Sequence, residues 1–537
     1  MGTIFYNGVI KTLDDAYPEV SAIWVKDGVI LRVGSDEEIL ALADDDTKKV
    51  DLGGKLAVPG FCDTHMHLLH FGVFSLRIDM NAATTYEEVR KLMEADVPNA
   101  KKDNRWVLGW GWNQNYWTDT KKMPDRHDLD EISTEVPIYI QRACGHISCL
   151  NTKALQVSGL WDEDPATTKE TIDFGEDGKP NGYVRENSSN VAMNVFQKYN
   201  KEDIKNMLEG ACRKALEKGI VQVHTDDFNI VQENDLKMNL EAFKELVAED
   251  RLPIRVYEQT RFQTMDQMRD FLALGYKMKD KIGRFKFGPV KLLNDGSIGS
   301  HSAALREEYK NDPGVKGLSL FTDEELYEFY ELSQKKGFDV VTHCIGDASL
   351  EQVLQTVEKV IYKYPRPDWR HGVIHCQIMD AEQQERFKKL NLVAYVQPIF
   401  VKSDSSCVDD CVGPELAKQS YNWRRYIDLG VHQCGGSDCP VEPFDPLPNI
   451  YSAVTRKGYD GKPWYPENGV TVDEAVRMFT KEAAYASYEE QERGTLGVGK
   501  YCDMAVIDKN IYECDPDEIK DANVVMTVID GEIVFEA

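Results

Sequence analysis

The sequence predicts an α/β protein: a (β/α)8 TIM-like barrel with a small β-sandwich domain built from both termini and a large insertion after barrel strand 1. Three observations carry that expectation. Eight apolar, strand-like runs recur along the chain with helical stretches between them. Both chain ends share a texture of short β-type runs around an Asp-Gly turn. About 130 residues separate the first apolar run from the second, far more than a βα loop uses.

Residues 1–57 are assigned to the small β domain on "FYNGVI" and "SAIWVKDGVILRVGS", and residues 486–537 on "YCDMAVIDKN" and "VVMTVIDGEIVFEA". Asp27-Gly28 and Asp530-Gly531 each sit between β-type runs, a hairpin signal. Identical texture at both ends favours one domain assembled from both; two unrelated hairpins are the alternative. Residues 58–75 and 206–485 are assigned to the barrel. Its strands are read in "KLAVPGFCDTHMH", "GIVQVHTDD", "LPIRVYEQT", "RFKFGPVKLLND", "FDVVTHCIGD", "HGVIHCQIMD", "NLVAYVQPIF" and "VHQCGGSDCP". Stretches such as "EDIKNMLEGACRKALEKG" and "TDEELYEFYELSQKKG" have helical periodicity and end at glycine. The insertion, 76–205, carries "RWVLGWGWNQNYW" and "VPIYIQRACGHISCLN" and is expected to cap the barrel mouth.

At 537 residues the chain is too long for one simple core. Its 42% hydrophobic and 29% charged content are those of a soluble globular protein. No apolar run approaches the roughly 18 residues a membrane helix needs. The opening "MGTIFYNGVIKTLDD" lacks a basic n-region and an apolar h-region, and lacks Ser or Thr where myristoylation would want one. A formal net charge of −28 disfavours polyanionic partners, so neither nucleic acid nor membrane is expected. The twelve cysteines are scattered; the closest zinc-like spacing is Cys407 and Cys411, with no second pair to complete a site. Free thiols in the cytoplasm are the expectation.

Chemistry in such barrels gathers at the C-terminal ends of the strands. Strand one ends in "DTHMH", where His65 and His67 share a face and suit a divalent metal such as zinc, although a single such pair is weak evidence. Strand four puts Lys291 inside the apolar run "RFKFGPVKLLND". A buried ammonium there is costly unless it is paired or snorkels to the rim. Strands five, six and eight end with His343, His375 and Asp438. Cys344, Cys376 and Cys439, each beside one of these, should point outward as core packers. His70 and His224 lie near the mouth and read as structural or supporting residues.

With these residues in place, the chain resembles the amidohydrolase superfamily, in the branch of N-substituted formamide deformylases and related metal-dependent hydrolases. The resemblance runs nearly end to end, through "VPGFCDTHMH", "VKLLNDGSIGSHSAAL", "THCIGD", "GSDCPVEP" and "GTLGVGKYCDMAVID". It implies two divalent metal ions, zinc foremost, and a carboxylated Lys291 bridging them. His65, His67, Lys291 and Asp438 would hold one metal, and Lys291, His343 and His375 the other. A carboxylated lysine is an anion, which would make its buried position favourable between two cations. A homodimer and a small-molecule substrate are further implications of the resemblance.

The implied activity is hydrolysis of a linear or cyclic C–N bond, amide or formamide in type, by a metal-activated water, with Asp438 moving the proton. Trp112, Asn113 and Tyr116 in "GWGWNQNYW", and His146 in "CGHISCLN", match family positions near substrate. The bland reading makes those aromatics the core of the inserted region, Trp106 and Trp110 above all. Asp295 and Ser297 should shape the loop after strand four. Two departures stand out: His301 and Ala348 occupy places where the family commonly has arginine, so a substrate carboxylate is less expected here. A deaminase of the same superfamily and a non-catalytic regulator retaining the barrel are the alternatives.

Overall fold

The structure, a computed structural model, describes residues 2–143, 147–168, 171–196, 199–229 and 236–537. Two compact units divide the chain: Met1–Phe71 with Leu208–Ala537, and Gly72–Met207.

The first unit contains the barrel. Its strands are β1 (Phe61–Met66), β2 (Ile220–Thr225), β3 (Arg255–Arg261), β4 (Phe285–Leu293), β5 (Val340–Cys344), β6 (Gly372–His375), β7 (Val393–Val396) and β8 (Gln433–Gly435). They are hydrogen-bonded in that order, each parallel to the next. All eight runs read from the sequence are these strands, and the expected TIM-like barrel is found.

Just beyond β8 the chain meets β1. The Asp438 amide donates to His65 O (2.7 Å) and the His67 amide to Cys439 O (2.8 Å). Asp63 of β1 accepts from the Ser437 amide (3.1 Å) and hydroxyl (2.5 Å). Gly436 permits this approach, because a Cβ there would lie 2.6 Å from the His65 nitrogen. The intervening helices are locally encoded. Asp323–Lys336, for example, starts at a Thr322–Glu325 capping box and stops at Gly337 in the left-handed region.

One irregularity in β4 governs the barrel interior. Glu258 pairs with Phe287 and Thr260 with Val290, so the one residue between them on β3, Gln259, opposes two on β4. The extra residue falls at Gly288-Pro289, where a Cβ on Gly288 would lie 2.6 Å from Glu258 O. Side chains alternate along a strand, and the bulge resets the alternation. Phe285 and Phe287 face the helices, against Phe243, Phe271 and Tyr276. Lys286 and Lys291 both face inward. The run that reads as uniformly apolar therefore has one apolar face and one face with two lysines.

Strands from both chain ends form two further sheets in this unit. One runs Val29–Gly34, Ala22–Lys26, Gly2–Tyr6, Lys48–Asp51; the other runs Glu532–Glu536, Val524–Ile529, Met504–Ile507, Leu56–Pro59, Val9–Lys11, Glu19–Val20. Phe5, Ile23 and Ile30 of the first share a core with Ile10, Ala57, Val506 and Val528 of the second. Both Asp-Gly pairs turn hairpins with all four residues at positive φ, as tight turns of that class require.

The second unit has its own six-stranded sheet, in the order Ile172–Phe174, Pro180–Arg185, Ile147–Leu150, Ile138–Arg142, Val107–Trp112, Ile78–Asp79. Its cores include Trp106, Trp112 and Trp117. Among the described residues, no helix is long and apolar enough to cross a membrane, and all eleven cysteines are unpaired.

Candidate metal centre

The six residues singled out at strand ends gather at the C-terminal rim of the barrel. Ligand atoms of His65, His67 and Asp438 lie within 4.8 Å of one another. Asp438 Oδ1 is 3.1 Å from His67 Nε2 and 3.3 Å from His65 Nε2. The ring of His375 follows at 5.6 Å from His65, and that of His343 at 4.3 Å from His375. Nitrogen and carboxylate oxygen donors so grouped suit a divalent ion such as zinc.

Three of the four imidazoles are aimed by something behind them. Nδ1 of His67 is hydrogen-bonded to the buried carboxylate of Asp226, just after β2. Nδ1 of His375 meets Gln397 Oε1 at 2.8 Å, and Phe400 stacks parallel to its ring. His343 Nε2 lies 3.2 Å from Gly296 O. With those nitrogens engaged, the opposite nitrogen of each ring is free to coordinate. His65 Nδ1 is buried with no hydrogen-bond partner.

The backbone contributes as well. Ile374 faces inward beside Val341, so regular alternation would turn His375 outward. His375 instead adopts φ 79°, and Asp438 φ 60°, left-handed conformations that are costly for residues with a side chain. Cys376, also left-handed, is buried and its thiol donates to Val373 O.

Lys291 is 1% exposed, and among the described residues its Nζ makes no hydrogen bond or ion pair. Snorkelling is thus not what it does. Burial pulls its pKa down to about 8 against the pull of Asp226 and Asp438. Burial likewise holds His65 and His375 below the ordinary histidine value and His343 down to about 3, leaving them neutral, the form that binds metal. Burial opposes the charge on His67 too, but Asp226 and Asp438 outweigh it and push its pKa up to about 10. An arriving cation would displace that proton.

Supporting residues are also visible. Burial pushes the Asp295 carboxyl up to about 7, although it accepts from the amides of Gly346 (2.8 Å), Ala304 (3.0 Å) and Ile345 (3.1 Å). It organises the loop after β4, as its position suggested. His224 lies between Tyr257 (4.9 Å) and Tyr395 (6.4 Å), and its pKa is lowered to about 3 by burial. The His70 ring is 6.4 Å from His67. His301 is stacked on Tyr309 and tied to Asp312 at 2.9 Å. Sequence reasoning did not single out Asp63, Asp226 or Gln397. Their signal was faint: "CDTH", "TDD" and "VQP" each put a polar residue at or near a strand end.

The substrate-side candidates belong to the second unit. Trp112 is fully buried, 5.9 Å from Trp117. Asn113 Oδ1 accepts from Arg142 (3.2 Å) and the Asn115 amide (3.1 Å). Tyr116 is 70% exposed. His146 lies outside the described residues.

Comparison with known proteins identifies the family. A model of the Amidohydrolase family matches residues 48–535. The chain is 29% identical over 544 residues to YtcJ of Bacillus subtilis (strain 168), covering 100% of each chain. It is 28% identical over 548 residues to the protein LONG AFTER FAR-RED 3 of Arabidopsis thaliana, covering 98% of this chain and 91% of that one. It is 23% identical over 540 residues to N-substituted formamide deformylase of Arthrobacter pascens, covering 99% and 97%. Among solved structures, an uncharacterised metal-dependent hydrolase from Pyrococcus horikoshii is similar with a TM-score of 0.78 at 25% identity, over 96% of this chain and 99% of that one.

Proposed function

The chain belongs to the amidohydrolase family, and from that premise we propose that it is a metal-dependent hydrolase cleaving a C–N bond of amide or formamide type, linear or cyclic. One observation carries the proposal. A complete set of His65, His67, Lys291, His343, His375 and Asp438 converges on one rim, with Lys291 buried and unpartnered.

His65, His67, Lys291 and Asp438 would hold one divalent ion, and Lys291, His343 and His375 a second, with zinc the metal of choice for this donor set. A pKa near 8 leaves part of the Lys291 amine neutral at pH 7, so its lone pair can add to carbon dioxide and release a proton. The resulting carbamate is the anion that two cations would otherwise lack. Bound metals of this kind supply an acidified water and polarise the carbonyl under attack. Asp438, held between His65 and His67, takes up the proton and returns it to the leaving nitrogen. The products are an acid and an amine.

For the substrate side we propose Trp112, Asn113, Tyr116 and His146 as binding residues. We read the two terminal sheets as the expected β sandwich, and a cytoplasmic homodimer as the working form. Removal of metal should abolish activity, and purified protein should carry two divalent ions per chain. Activity is to be sought on formamides, N-acyl amines and cyclic amides. Lys291→Ala should lose metal, and a short carboxylic acid supplied with zinc should restore part of the activity. Unchanged metal content in Lys291→Ala would overturn the bridging role. Full activity with one metal would favour a deaminase-like arrangement, and protein without metal or turnover would favour a regulator.

A further inference from the structure

Asp226 looks at first like a misplaced charge. It is fully buried, and its Oδ2 has no hydrogen-bond partner. Among the described residues, its side chain makes one hydrogen bond, to Nδ1 of His67, 159 residues away in sequence. A buried carboxylate costs several kcal/mol unless its surroundings repay it. Holding the chain in place does not explain it, because its neighbours do that. Thr225 Oγ1 accepts from the Leu68 amide (2.9 Å), and Asp227 Oδ1 accepts from the Leu69 amide (2.8 Å).

The four imidazoles are not supported alike. His375 is backed by a neutral amide, Gln397. His343 is backed by the Gly296 carbonyl, and the nearby Asp295 (3.4 Å) is already committed to three backbone amides. Nδ1 of His65 is backed by nothing. Of these four, only His67 has behind it a carboxylate that makes no other hydrogen bond among the described residues. A carboxylate accepting from the far nitrogen fixes the tautomer and makes Nε2 a stronger electron-pair donor to a cation.

We propose that Asp226 is a positioning residue that acts through His67 and makes the His65–His67–Asp438 site the tighter of the two metal sites. The proposal rests on the metal-hydrolase reading above. It assigns an order of loading: the first zinc goes to the side that Asp226 backs, the second to the side of His343 and His375.

The test is zinc titration of chelator-stripped wild-type protein, Asp226→Asn and Asp226→Glu, in competition with a chelator of known affinity. In Asp226→Asn the tighter zinc should weaken by about 10- to 100-fold, while the weaker one stays put. Asp226→Glu should recover part of the loss, and the metal-free proteins should melt alike. Unchanged affinities would overturn the proposal, as would an equal fall at both sites with a lowered melting temperature. If Asp226→Asn does not fold, zinc-loaded wild type labelled with 15N-histidine decides instead. His67, assigned by the signals lost in His67→Gln, should carry its proton on Nδ1; coordination through Nδ1 would overturn the proposal. Wild type that takes up no zinc would overturn both readings, whereas zinc binding indifferent to Asp226 overturns this one alone.

Discussion

Lys286 and Lys291 stand five positions apart on β4, face the same barrel interior, and are 5% and 1% exposed. Burial lowers both to a pKa of about 8. Their company differs completely. At the N-terminal end, Lys286 donates to Ser487 O and lies 3.6 Å from Glu489. Glu489 in turn meets Gln222 (2.8 Å), Lys281 (3.2 Å) and Arg493 (3.7 Å), and Asp503 links Arg493 to Arg255. At the C-terminal end, Lys291 sits among imidazoles and makes no hydrogen bond or ion pair among the described residues, with Asp226 and Asp438 acting on it only from farther off. One end of the barrel is a closed electrostatic account; the other is left open. A charge buried for stability comes with its counter-charge, and a charge buried without one is waiting for something the chain does not itself provide.

The contrast can be broken from either end. The largest effect is expected at the open end, in turnover. Asp438→Asn should lower kcat by about 10²–10⁴-fold while the fold persists, since the amide cannot carry the proton. Retention of more than about a tenth of the rate would remove Asp438 from that role. Next comes the closed end. Glu489→Gln leaves Lys286 and Arg493 without their shared partner and should cost about 3–5 kcal/mol in denaturant unfolding. Metal bound per folded chain should not change. If Glu489→Gln depletes metal, the two ends are coupled and the contrast fails.

The smallest effect is the most discriminating. Lys291→Met removes an unpaired buried cation, so the metal-free variant should be more stable than metal-free wild type at pH 7, by at most about 3 kcal/mol. The folded-state pKa of Lys291, about 8, lies below its unfolded value. The unfolded chain therefore binds more protons between the two values, and wild-type stability recovers as pH rises from about 8 towards 10.5. The advantage of the methionine should fade over that window and stay constant below it. An advantage independent of pH would mean that the charge of Lys291 is not what the site holds at a cost.

Much of this was legible in the sequence, because it is written in local patterns. All eight barrel strands read as apolar runs, and both Asp-Gly hairpins read as turns. The six rim residues were found by asking what stands where each run ends. What escaped is what no local pattern encodes. Nothing in the spacing of "TDD" connects Asp226 to His67, and nothing in "CDTH" connects Asp63 to Ser437. The left-handed turn that brings His375 inward has no glycine to announce it. The bulge in β4 did leave a trace, since proline inside a strand marks an edge or a bulge. Counting residues from Lys286 to Lys291 without it puts the two on opposite faces.

The seam between β8 and β1 has a consequence for how the chain comes to completion. Asp63 and Ser437 are 374 residues apart, and they meet where the two histidines of the first strand face the aspartate that follows the last. A chain with seven strands docked has its histidines and its lysine but not Asp438. The rim then has its basic groups with Asp226 behind His67, but no carboxylate on the side where His65 and His67 face Asp438. Only when the final strand arrives do the two halves of the rim complement each other. On the proposed reading, a metal would find its full ligand set only at that stage, and an ion held across the junction would fasten the first strand to the last.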